Sequence, residues 1–165
     1  MRKFCFIVIV MLVVGCSKDA EKEAFYIPQN YTGPIAIVFD QKNGVPKEYK
    51  DGWRIYRIPE SGVLYTQLPD VKGLLHRKFY YVDSSGEVSG ELPSLHLPVL
   101  SMTKYDSSKI YVMDGFDGGF RRNADDENVE YIYLCLGKAT KSDSLSGAGY
   151  KLMERVKELY PQEIK

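Results

Sequence analysis

Apolar positions along this chain recur with two spacings, and the shorter one dominates. From residue 25 onward Tyr, Val, Ile and Phe gather in short runs between clusters of Gly, Pro, Asn and Asp, the arrangement of strands separated by turns. The runs predict strands from Ile35 to Phe39, Trp53 to Ile58, Val63 to Gln67, Arg77 to Val82, Lys109 to Met113 and Val129 to Leu136. Pro59-Glu60-Ser61-Gly62 and Asp83-Ser84-Ser85-Gly86 each put a turn former first and a glycine last, which predicts tight hairpins closed by a left-handed final residue.

The last predicted strand divides its faces cleanly. Ile132, Leu134 and Leu136 project one way, and Tyr131, Tyr133 and Cys135 the other. A strand apolar on both faces belongs at the centre of a sheet, with a second sheet on one side and a helix on the other. The helical spacing occurs once, where Leu152, Met153, Val156, Leu159 and Tyr160 share a face. With Ser146 as cap and Pro161 beyond the end, it predicts a helix over 146–160. The sum is one mainly β domain over 25–165, a two-sheet β-sandwich with one C-terminal α-helix and no internal repeat.

The first residues follow a different plan. Arg2 and Lys3 precede an unbroken apolar run from Phe4 to Val14, the n-region and h-region of a secretory signal. As a helix that run reaches only about 16 Å, roughly half of a hydrocarbon core. It ends in Val13-Val14-Gly15-Cys16, which resembles the bacterial lipobox. The resemblance implies a signal peptide over 1–15, cleavage before Cys16, and a diacylglyceryl group and an N-acyl chain on that cysteine. Several acyl chains at ~0.8 kcal/mol per buried CH₂ make such an anchor effectively permanent. Ser17 to Ala24 is polar and charged, so 16–24 is expected to be the lipidated cysteine and a tether. Lys18-Asp19 followed by Glu21 resembles the acidic signals that send some Bacteroidetes-type lipoproteins to the cell surface. The expected location is therefore an exported, lipid-anchored one at the outer membrane, with surface display as the further expectation.

Composition narrows the partners. The chain carries 22 basic and 22 acidic residues, and removal of Arg2 and Lys3 leaves a net of −2. That balance argues against a nucleic-acid partner, whose affinity depends on clustered Lys and Arg, and gives no sign of attraction to anionic lipid. Of three cysteines, Cys5 leaves with the signal and Cys16 takes lipid, so Cys135 remains as a lone thiol inside an apolar strand. Burial as a small hydrophobe is its expected role.

Ile27-Pro28-Gln29-Asn30-Tyr31-Thr32-Gly33-Pro34, with Tyr56-Arg57-Ile58-Pro59-Glu60-Ser61-Gly62 and Phe79-Tyr80-Tyr81-Val82-Asp83, resembles small uncharacterised lipoproteins of Bacteroidetes type. The resemblance implies address and fold and carries over no functional residue. A looser likeness, in the strand, Pro-x-x-Gly turn and second strand, is to transthyretin-like and carboxypeptidase-regulatory sandwiches, which implies a mostly non-catalytic module.

Candidate chemistry is sparse. His76 and His96 lie in no metal-binding spacing, and no Gly-x-Ser-x-Gly elbow or phosphate-binding glycine loop occurs. The unusual segment is 114–127, glycine-rich and bearing Asp114, Asp117, Asp125, Asp126 and Glu127. Such oxygens on a flexible loop could hold calcium. Their spacing matches no calcium loop, however, and Arg121 and Arg122 can neutralise them, which favours a solvated loop without metal. Trp53, Phe116 and Phe120 are candidates for aromatic contacts, since rings beside carboxylates can hold sugars or favour protein interfaces, the alternative being that Phe116 and Phe120 tuck into the core and that the many Tyr are ordinary strand residues. The expected function is a non-catalytic binding or scaffolding module, held on the membrane by lipid and meeting an envelope protein or glycan. The alternative is a ligand-binding or hydrolytic periplasmic protein that uses the 114–127 segment.

Overall fold

The computed structural model describes residues 21–73, 75–95, 104–121, 124 and 126–163. These residues form two five-stranded sheets face to face and one helix, so the molecule is a β-sandwich. The first sheet runs in the order β3 (Tyr49–Lys50), β4 (Trp53–Arg57), β1 (Glu21–Pro28), β6 (Leu75–Val82), β7 (Val88–Leu92). The second runs β5 (Val63–Tyr65), β2 (Gly33–Val38), β10 (Val129–Lys138), β9 (Ile110–Phe120), β8 (Ser94–Leu95). A 3₁₀ turn at Ala139–Lys141 leads into α1 (Ser142–Glu163).

Both sheets are mixed. β1 lies between two parallel neighbours, β4 and β6, with Phe25 beside both Tyr56 and Phe79. These rings stack at 4.8 Å on either side of Phe25 and anchor the first sheet's inner face. Opposite them, Ile132, Leu134 and Leu136 of β10 join Ile35 and Ile37 of β2 in the same buried cluster between the sheets. The other face of β10 puts Tyr133 and Cys135 in a second cluster with Met153 and Val156 of α1. The expected division of β10 into a sheet-facing and a helix-facing side is therefore what the fold uses.

The structure departs from the sequence expectations at several points. Of the charged tether expected over 16–24, Glu21–Ala24 belong instead to β1, with Glu23 and Ala24 buried, and 16–20 lie outside the described residues. Charge disguised this strand start, since the groups that satisfy Glu23 lie far along the chain. The Asp83–Gly86 turn closes the β6–β7 hairpin as expected, with Gly86 at φ +85° and Asp83 Oδ1 accepting the Ser85 N–H. The Pro59–Gly62 turn also forms, with Gly62 at φ +76°, but it carries the chain from one sheet to the other. β5 then pairs with β2 in parallel instead of folding back on β4. A side chain at Gly62 would collide with the Tyr31 hydroxyl, so close approach and backbone conformation both require glycine there. The helix starts at Ser142 rather than Ser146, continuing directly from the 3₁₀ turn, and runs past Pro161.

The 114–127 loop is the largest correction. Its first half is strand: β9 continues to Phe120, with Asp114 opposite Leu134 and Asp117 opposite Ile132. The glycines exist for packing. A Cβ at Gly115 would stand 1.8 Å from the Tyr133 carbonyl oxygen, and one at Gly118 would strike the Tyr131 ring. Glycine in this strand makes room for aromatic neighbours on β10.

Candidate functional site

Residues singled out from the sequence are dispersed by the fold. Cys16 and Asp125 lie outside the described residues, as does His96. Asp117 lines an open cleft beside the first sheet, whereas Asp126 and Glu127 line a separate cavity of about 260 Å³ with Asp40, Gln41, Glu130 and Tyr160. Asp117 and the Asp126-Glu127 pair therefore do not share a site, and among the described residues no three His, Cys, Asp or Glu side chains gather as a metal would require. Phe120 packs edge-on against Tyr160 of α1 at 5.4 Å, and Phe116 leans on Tyr133 and Tyr150 while staying 56% exposed. Cys135 is buried, its Sγ donates to the Leu145 carbonyl at 3.2 Å, and burial pushes its thiol pKa up to about 11. It is a packed hydrophobe rather than a nucleophile.

Trp53 stands in a different setting. Because β1, β4 and β6 are parallel, their first residues lie together at one pole of the first sheet. Strand alternation then divides each consecutive pair between two faces. Glu23, Arg54 and Arg77 point inward, while Lys22, Trp53 and Lys78 point outward.

Inward, the three strands build a charged cluster. Arg77 Nε donates to Glu23 Oε2 at 2.9 Å, and the Tyr56 hydroxyl donates to Glu23 Oε1 at 2.8 Å. Arg54 Nη1 stands 3.8 Å from Glu23 Oε1, and its Nη2 donates to the Pro69 carbonyl. The Arg54 side chain is 2% exposed, yet among the described residues its Nε and Nη1 have no hydrogen-bond partner. A buried guanidinium so incompletely satisfied is costly, and it is held in place by the strand pairing and by Glu23. Burial, followed by the adjacent Glu23 carboxylate, drives the Tyr56 hydroxyl pKa well above its ordinary value of 10.0. That phenol stays protonated and donates throughout the physiological range.

Outward, the same pole is cationic and aromatic. The Lys22 and Lys78 ammonium groups sit 6.0 and 5.3 Å from the Trp53 ring centre. Lys50 pairs across from Trp53 on β3 and is exposed. Farther along the face, Arg57 lies over Tyr26 at 5.0 Å, is held by Glu48 through two hydrogen bonds, and Tyr26 meets Tyr80 edge-on. Beside this pole runs the open cleft, about 620 Å³, whose walls include Trp53, His76, Arg77, Lys78, Ser94 and Asp117. α1 packs on β2, β10 and β9 of the second sheet, and on the outer face of the first sheet Lys22, Arg57 and Lys78 are exposed while Tyr26, Trp53 and Tyr80 are half-buried. A flat face of rings interleaved with ammonium groups can hold anionic or ring-bearing partners by charge and stacking.

None of Lys22, Glu23, Arg54, Arg77 or Lys78 stood out in the sequence. One signal was present. Glu23, Arg54 and Arg77 each precede an inward aromatic, Phe25, Tyr56 and Phe79, by two residues, the period that places them on the same buried face.

Among the described residues the fold is a two-sheet β-sandwich with a helix on the outer side of one sheet and an aromatic, cationic outer face on the other. Residues 19–134 match the model of a family of unknown function, DUF6843, and the chain belongs to that family. A crystal structure of a candidate lipoprotein from Bacillus anthracis shares the fold, with a TM-score of 0.55 and 18% identity, covering 85% of this chain and 96% of its own. No curated protein matches the chain.

Proposed function

We propose that this protein is a lipoprotein anchored through Cys16 at the cell envelope, where its sandwich serves as a non-catalytic binding or scaffolding module. The observation that carries the binding role is the outer face of the first sheet, where half-buried Trp53, Tyr26 and Tyr80 are set among exposed Lys22, Lys78 and Arg57. The anchor rests on the Val13-Val14-Gly15-Cys16 sequence. The candidate lipoprotein that shares its fold is in keeping with it. The Bacteroidetes-type address, with the Lys18-Asp19 signal, extends the reading to outward display at the outer membrane.

Metabolic labelling with an alkyne fatty acid tests the anchor. Label is expected on the wild-type chain and absent from Cys16→Ala; a labelled Cys16→Ala would overturn it. Protease treatment of intact cells tests the side. Digestion is expected for outward display, and protection until lysis would place the domain inward.

A further inference from the structure

We propose that the Glu21 end of the first sheet's outer face, bearing Lys22, Lys50, Trp53 and Lys78, rests on the headgroups of anionic phospholipids in the anchoring membrane. The proposal depends on the anchor at Cys16 and names what the face beside it contacts. Two observations support it.

The first is reach. Five residue steps separate Cys16 from Glu21, where β1 begins. Fully extended they span about 18 Å. The pole that carries Lys22, Trp53 and Lys78 is therefore kept against the bilayer surface. The far end of β1 is about 25 Å more distant along the strand. A domain held this way meets the membrane first with this pole.

The second is charge and chemistry. The chain as a whole is not basic, but the fold gathers lysines from three strands onto one patch: Lys22 from β1, Lys50 from β3 and Lys78 from β6, all exposed. The carboxylate of Asp51, in the turn between β3 and β4, offsets one of them, and Glu21 shares the inward parity of Glu23. Near an anionic bilayer each lysine raises residence at the surface about fivefold. Trp53 lies between the lysines with its ring half-buried, the placement in which an amphipathic indole settles at headgroup depth while ammonium groups reach for phosphates.

Trp53 is the single tryptophan of the chain, so it reports on its own surroundings. The test uses the full acylated protein in vesicles of phosphatidylcholine alone or mixed with phosphatidylglycerol, with a quencher attached near the lipid headgroup. Flotation with vesicles reports the anchor; quenching and a blue shift of Trp53 emission report docking. The expected result is flotation with both vesicle types but strong quenching only on the anionic ones. Lys22→Glu with Lys78→Glu should abolish that quenching while flotation persists, and Lys22→Arg with Lys78→Arg should retain it. Flotation without quenching on anionic vesicles overturns the docking and leaves the anchor standing. Shielding of Trp53 from aqueous acrylamide without lipid quenching would mean that another protein copy covers the face, and would also overturn it. Failure to float would overturn the anchor, and the docking with it.

Discussion

The second sheet is covered on both sides, by the first sheet and by α1, and its central strand is apolar on both faces. Among the described residues the first sheet is packed on one side, and even there buried Glu23 and Arg54, with half-buried Arg77, sit beside Phe25, Tyr56 and Phe79. Shape complementarity among apolar groups holds one sheet, while the other adds a charge network whose value depends on every member being in place. Among the described residues, the sheet with the costlier interior is also the one whose outer face carries no helix. Its ion cluster fixes the ends of β1, β4 and β6, the strand ends that present Lys22, Trp53 and Lys78.

The two sheets should differ most in their response to substitution at Glu23. Glu23→Ala leaves the buried Arg54 guanidinium, and the half-buried one of Arg77, without their carboxylate and is expected to cost about 3–5 kcal/mol in urea unfolding. A cost below ~1 kcal/mol would mean that the cluster holds nothing. Leu134→Ala, in the apolar counterpart, should cost about 2–5 kcal/mol by the same measurement. Replacing the triad together, Glu23→Leu with Arg54→Met and Arg77→Leu, should recover most of the Glu23→Ala loss, whereas a further loss would show the charges to be net stabilising.

Smaller effects are expected at Gly115, Cys135 and Lys78. Gly115→Ala pushes a methyl into the Tyr133 backbone and should cost about 1–3 kcal/mol. Cys135 provides a pH test confined to the second sheet. Burial raises its thiol pKa from 9.0 to about 11, so its contribution is fully present below pH 9 and is lost as pH climbs to about 11. Urea midpoints should fall over that window in the wild type and fall less in Cys135→Ala. Smallest of all, Lys78→Glu on the open face should change stability by no more than ~0.5 kcal/mol.

The second sheet was the more legible in the sequence, and the reason is physical. β10 declares both faces through alternating apolar residues, and α1 declares itself through its one apolar stripe, so centre, cover and buried thiol could be read directly. The first sheet hides its organisation because pattern reading treats Glu23, Arg54 and Arg77 as surface. Their partners are set by a parallel register between strands distant in the chain, which no local signal encodes. The same blindness turned the glycines of 114–120 into an expected loop. Their room is taken up by Tyr131 and Tyr133 of the neighbouring strand, a contact invisible until β9 and β10 pair. On the outer face the lysines were dispersed among balanced charges, and only the fold concentrates them.

The position of β1 has a mechanical consequence. A pull on the chain ahead of Glu21 acts along the strand's own axis. β1 is in register with β4 over four residue pairs and with β6 over eight, on its two edges. Such a load shears both ladders at once instead of peeling them one bond at a time. The first strand of the domain is thus built as a tension-bearing splice, able to pass force from the preceding chain into the middle of a sheet.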